Sequence, residues 1–139
     1  MNTSLLVADE NEERRSEVCR FFSRRGFRAF SAANPAECLS RVVALNPHIL
    51  IISCDILWTQ RDGVVARFIE SLRLERNPLV LVIGDQPAER LSERAGMPVE
   101  SCFSEPIRNE SLLDWISLSQ RMLASEPLIR ASPIDCRIK

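Results

Sequence analysis

Residues able to do chemistry gather where apolar runs stop. Leu5-Leu6-Val7-Ala8 runs into Asp9-Glu10, and Ile49-Leu50-Ile51-Ile52 into Ser53-Cys54-Asp55. Leu79-Val80-Leu81-Val82-Ile83 runs into Gly84-Asp85, and a weaker run, Val99 to Phe103, into Ser104-Glu105-Pro106. Adjacent carboxylates are hard oxygen donors, so Asp9 and Glu10 can serve a divalent cation such as Mg2+. The same pair can equally open a loop and favour the N-terminus of a following helix. The inventory closes other routes. His48 is the single histidine and follows Pro47 at the mouth of an apolar run, which leaves no material for a His-based metal cluster or a Ser/His pair. Lys139 is the single lysine and the last residue, so chemistry needing a lysine inside the domain is excluded.

These clusters can meet only if the elements between them bring the run ends together. Leu5 to Ala8 is short and continuously apolar, as in a strand buried on both faces. From Asn11 the spacing turns helical, with Val18, Phe21 and Phe22 on one face, until Gly26 supplies a stop. Phe27 to Ala32 can form a second strand. Asn34-Pro35-Ala36-Glu37 then reads as an N-cap, a first-turn proline and a capping-box acid for a helix reaching about Leu45. Asn46-Pro47 breaks that helix, and Ile49 to Cys54, the most apolar run, belongs at the centre of a sheet. Asp62-Gly63 marks a turn, Val64 to Leu74 is helical, and Pro78 introduces the strand Leu79 to Ile83. A short helix from about Pro87 to Ala95, a strand near Val99 to Phe103 and a helix from Asn109 to about Leu123 complete the order.

Strands alternating with helices through short loops imply a doubly wound, five-stranded parallel sheet with right-handed crossovers, an α/β fold. In such a sheet the ligand site lies outside the carboxyl ends of the strands, where the four clusters would converge. With 139 residues the chain can bury one sizeable core. The expected division is a domain over 1-124 and a flexible tail over 125-139. A net charge of −1 with 45% apolar and 27% charged residues excludes a disordered or strongly polyanion-binding chain. No apolar run approaches a membrane span and the N-terminus lacks a signal-peptide pattern, so the expected location is cytoplasmic, with no membrane partner. Cys19, Cys38, Cys54, Cys102 and Cys136 are odd in number and set mostly among apolar neighbours, which favours buried thiols over disulfides or zinc.

The βα order, the acidic pair after the first strand, the Asn46-Pro47 step and Asp62-Gly63 together resemble the bacterial response-regulator receiver domain, over roughly Thr3 to Leu123. The resemblance implies a (βα)5 flavodoxin-like fold and a place in two-component, phosphorelay signal transduction. It also implies an aspartate at the third strand end that takes the phosphoryl group and shares Mg2+ with the acidic pair. A hydroxyl and a lysine complete the site at the fourth and fifth strand ends. Two anchors give different acceptor positions here. Six residues on from Pro47 is Ser53; seven back from Asp62 is Asp55. Both have the same strand parity, about 6.6 Å apart, and the length of the preceding helix favours Ser53. The hydroxyl position reads Ile83, and the lysine-proline pair reads Glu105-Pro106. A carboxylate about 4 Å from a phosphoryl oxygen costs on the order of 4 kcal/mol at an effective dielectric of 20. A serine at the acceptor position needs a base, and none is evident.

Resemblance and residues together point to a degenerate, pseudo-receiver-type module that is not an enzyme. It would hold no cofactor, with Mg2+ at Asp9, Glu10 and Asp55 weak if bound at all. Its partner would be another signalling protein or a second copy. Trp58, in the loop beside the site, and Trp115, in an apolar band on the last helix rimmed by Arg108, are the candidate contact residues. Arg14-Arg15 and Arg24-Arg25 are diluted by Glu12, Glu13 and Glu17 and read as a solvated face, so direct nucleic-acid binding is not expected. Two alternatives stand beside this reading: a phosphoacceptor using Asp55 with Asp9 and Glu10, and a small-ligand or nucleotide binder in the strand-end crevice.

Overall fold

The computed structural model describes residues 3–54 and 64–130, without the side chains of 64–66, 75 and 122–130. Two compact units result, Met1–Ile107 and Arg108–Lys139. The first unit holds β1 (Ser4–Ala8), α1 (Glu12–Ser23), β2 (Arg28–Ala32), α2 (Pro35–Leu45), β3 (Ile49–Ser53), α3 (Val64–Glu75), β4 (Leu79–Gly84), α4 (Ala88–Ala95) and β5 (Cys102–Ser104). The second holds α5 (Asn109–Arg130).

The strands pair in parallel in the order β2-β1-β3-β4-β5, so the most apolar run, β3, lies at the centre as expected. Register carries Val7 opposite Ile51, Ser53 opposite Ile83, and Ile83 opposite Phe103. Side chains alternate across the pleat. Leu6, Ala8, Leu50, Ile52, Val80 and Val82 share one core with Cys38 and Val42 of α2, Ile69 and Leu72 of α3 and Leu91 of α4. The opposite parity, Leu5, Val7, Ile49, Ile51, Leu81 and Ile83, is equally buried, and α1 packs on the β1 and β2 side of the sheet. Both faces are apolar because a parallel sheet is covered on both sides.

Local chemistry explains the boundaries. Asn34 Oδ1 accepts from Glu37 N at 2.8 Å while Glu37 Oε1 accepts from Ala33 N at 2.6 Å, the reciprocal capping box read from sequence. Asn46 ends α2 in the left-handed region at φ 48°, a conformation asparagine tolerates, and Pro47 prevents continuation. Gly84 is needed small, since a Cβ there would lie 2.7 Å from Leu91 Cδ2. Two expectations shift. The fifth strand is shorter, because Val99–Ser101 closes into a tight 3-10 turn in which Ser101 N donates to Pro98 O at 2.9 Å. The last helix runs past Leu123 to Arg130, so residues 125–130 of the expected tail are helical. Backbone hydrogen bonding persists there after the apolar period has faded. Asp55, Trp58, Asp62-Gly63, Cys136 and Lys139 lie outside the described residues. Among the described residues no helix is long and apolar enough to cross a membrane.

Candidate functional site

The crevice at the carboxyl ends of β1 and β3 is built around a carboxylate. Asp9 follows β1 in the parity of Leu5 and Val7, is 0% exposed, and donates its backbone N–H to Ala32 O at 3.0 Å. Its Oδ1 accepts from Asn11 N at 3.0 Å, so the carboxylate is tied to the turn that starts α1. Asn11 is the N-cap of α1: its Oδ1 accepts from Arg14 N at 2.9 Å. That cap sets Arg14 in the first turn.

From there the Arg14 guanidinium turns back onto the strand end. Nε donates to Asp9 Oδ2 at 2.5 Å and Nη2 to Asp9 Oδ1 at 3.0 Å, the two-pronged geometry that makes arginine–carboxylate pairs strong. Nη2 also reaches Ser53 Oγ at 3.3 Å, and Nη1 forms an ion pair with Glu105 Oε2. The Arg14 side chain is 17% exposed and that of Glu105 39%. The cluster is thus buried at Asp9 and opens to water at Glu105. Arg15 adds a bond from Nη1 to the Asp9 carbonyl at 2.7 Å.

The expected site residues sort clearly against this geometry. Ser53 is the fully buried last residue of β3 and shares the crevice with Asp9. Ile83, beside it on β4, is also fully buried and offers only hydrocarbon. Glu105, whose N–H donates to Gly84 O at 2.8 Å, is held at the rim by β4. Glu10 is exposed and, among the described residues, makes no hydrogen bond to the cluster. The reading of Arg14 as part of a solvated face is corrected, since its guanidinium turns inward onto Asp9 and Glu105. A cation in the first turn of a helix sits against the macrodipole, and that unfavourable position was the available signal that an anion must compensate it.

Mg2+ needs oxygens that are free to ligate. Both Asp9 oxygens are engaged by Arg14, and one also by Asn11. Among the described residues no three of His, Cys, Asp and Glu gather as metal ligands. The described residues therefore do not fit the ion.

The remaining candidates lie elsewhere. His48 sits at the opposite, N-terminal end of β3, where its Nδ1 accepts from Ser4 N at 3.0 Å. On α5, Leu112 and Ile116 are buried, Leu118 is 42% exposed, and Arg108 is exposed. Trp115 is half-buried, and its indole Nε1 is buried with no acceptor among the described residues. Among the described cysteines, Cys38, Cys54 and Cys102 are buried, Cys19 is half-buried, and all four are free thiols. Burial pushes the Cys38 thiol up to about 12. Burial first, then Cys54 and Glu100, take Cys102 up to about 11.

No family model and no curated protein matches this sequence. Solved structures do resemble the fold. The chemotaxis response regulator CheY4 of Vibrio cholerae superposes with a TM-score of 0.68 at 16% identity, over 84% of this chain and 98% of that one. A CheY-like receiver domain protein from Methanospirillum hungatei gives 0.73 at 14% identity, over 91% and 99%. The receiver domain of a response regulator from Bermanella marisrubri gives 0.69 at 20% identity, over 84% and 97%. Strand order, helix placement and these superpositions agree that the chain carries the five-stranded, flavodoxin-like fold of the CheY-like response-regulator receiver domains.

Proposed function

We propose that this chain is a receiver-like signalling module whose crevice is closed by its own arginine and which acts by binding another protein, without phosphorylation. The observation that carries this reading is the Arg14 bridge between Asp9 and Glu105. In the receiver resemblance, two or three carboxylates leave an excess of negative charge for a metal ion, and a lysine of the fifth strand meets the phosphoryl group. Here Ser53 is the residue we assign to the acceptor position, and the fifth strand supplies Glu105. The cation comes from α1 and is consumed by internal pairs.

A neutral serine needs a base to attack a phosphoryl donor, whereas an aspartate is already ionised at neutral pH. An incoming phosphoryl group would meet Ile83 where a hydroxyl is needed, and would compete with Asp9 and Glu105 for the one guanidinium. Charge-assisted bonds of this kind are among the strongest a side chain makes, so displacing them is costly. The module is accordingly neither an enzyme nor a cofactor carrier, and its output is a surface. A groove of about 490 Å3 lined by Ile69, Arg73 and Leu74 lies between the C-terminal ends of α3 and α4, away from the crevice.

Treatment with acetyl phosphate and Mg2+ followed by intact mass spectrometry tests the proposal. The expected result is no added phosphate. A substantial phosphorylated fraction that disappears in Asp55→Asn and survives in Ser53→Ala would overturn it.

A further inference from the structure

Charge is segregated within the first unit. Between Val18 and Ala36 the sequence carries Arg20, Arg24, Arg25 and Arg28 and no acidic residue. These four occupy the last turn of α1, the turn after it and the first position of β2, all at the N-terminal end of an edge strand and opposite to the crevice. All four are exposed, and none has a carboxylate partner among the described residues. Three other arginines do find one: Arg14 pairs with Asp9 and Glu105, Arg41 with Glu37, and Arg90 with Glu93.

Two aromatic rings border the arginines, Phe21 on α1 and, on the opposite face of β2, Phe30, which packs on the core beneath α2. The Arg25 guanidinium lies 3.7 Å from the centre of the Phe21 ring, and its Nη1 donates to the Phe21 carbonyl at 3.4 Å. The Arg28 guanidinium lies 5.7 Å from the Phe30 ring. Stacking on a ring holds a guanidinium in place while leaving its edge donors available to a carboxylate. Both rings are only half-buried.

We infer that this arginine and phenylalanine edge of α1 and β2 is a docking surface for a short acidic segment of a partner protein, one carrying carboxylates with interspersed apolar side chains. The charge balance selects that occupant. The chain's net charge is −1, so outside these four arginines it stands at −5. A long polyanion such as a nucleic-acid duplex would gain at the patch and be repelled along the rest of the surface, whereas a short segment meets only the patch. Aligned carboxylates match guanidinium edges, and apolar residues between them match the exposed parts of Phe21 and Phe30. The inference is independent of whether the crevice accepts a phosphoryl group.

Fluorescence anisotropy of a fluorescein-labelled peptide of alternating glutamate and leucine, titrated with the full chain at low salt, tests it. Binding is expected, weakening as salt is raised. The glutamine-for-glutamate peptide should not bind. The variant Arg24→Glu, Arg25→Glu, Arg28→Glu should lose about tenfold or more in affinity with an unchanged circular dichroism spectrum. The milder Arg24→Gln, Arg28→Gln variant should lose less. Charge reversal at Arg90 should leave binding unaltered. Failure of the acidic peptide to bind, equal binding by the reversed variant, or tighter binding of a single-stranded oligonucleotide or of phosphatidylserine vesicles than of the peptide would each overturn the inference.

Discussion

Arg14 and Glu105, 91 residues apart in the chain, meet as an ion pair across the strand-end crevice while the same guanidinium grips Asp9. The arrangement exchanges the roles that the receiver resemblance assigns. The end of the fifth strand brings the acid and the first helix brings the cation, so part of the crevice's negative charge is offset from within the fold. Asp9 is the buried partner and Glu105 the exposed one, and the energetic consequences divide accordingly.

Removing Arg14 takes the cation from the buried Asp9 carboxylate and leaves it the Asn11 N–H among the described residues. Arg14→Ala should therefore destabilise the fold by about 3 kcal/mol, the scale for breaking a buried pair from one side. Urea unfolding measures it. Arg14→Ala combined with Asp9→Asn should cost clearly less than the sum of the single changes, because the second change removes the orphaned charge. Additive losses would show that the pair is not coupled.

Glu105→Gln should cost under about 1 kcal/mol, since the carboxylate is 39% exposed and screened by solvent. Repeating the unfolding in about 1 M salt should erase most of that difference while leaving the Arg14→Ala loss largely intact.

Calorimetric titration with Mg2+ should give no binding in the micromolar range, because both Asp9 oxygens already accept from a cation. Introducing the residues that the receiver resemblance implies at three positions, Ser53→Asp, Ile83→Thr and Glu105→Lys, should still give poor phosphorylation by acetyl phosphate. The new lysine would lie beside Arg14, and Arg14 would remain on Asp9. Adding Arg14→Ala to that variant should raise the phosphorylated fraction in mass spectrometry; no increase would argue that the crevice is limited elsewhere.

Stability should fall as the solution becomes alkaline. In the unfolded chain the Cys38 thiol loses its proton near its ordinary value of 9.0, whereas in the fold burial holds it to about 12. The folded state keeps the extra proton between those values, so its advantage is full below about 9 and is lost progressively up to about 12. The slope cannot exceed about 1.4 kcal/mol per pH unit for one thiol. Urea midpoints at pH 8 and pH 10 measure it, and Cys38→Ala should flatten the difference at some cost in packing.

Trp115→Phe should be nearly neutral, because it removes an indole donor that has no acceptor among the described residues. Trp115→Ala should cost about 2 to 3 kcal/mol through lost packing of a half-buried ring. If the alanine variant instead unfolds at the same urea concentration but fails to associate with a partner, the ring is a contact residue in the sense first expected for it.

Several features of this protein were decided by the sequence alone. The apolar runs at Leu5 to Ala8, Ile49 to Ile52 and Leu79 to Ile83 can only be strands buried on two faces, and Asn34-Pro35 and Asn46-Pro47 fix the ends of α2, because these effects are local in backbone geometry and solvation. The strand-end clusters followed, since parallel order brings all carboxyl ends to one side. What tertiary structure decided was the partnership of Arg14. A flexible side chain on a capped first turn can face water or turn inward, and helical spacing does not distinguish the two. The choice depends on the burial of Asp9 at the end of β1 and on where Glu105 stands, and both are set by the sheet order β2-β1-β3-β4-β5. The energy that orients Arg14 comes from a buried carboxylate and a rim carboxylate brought together by strand pairing.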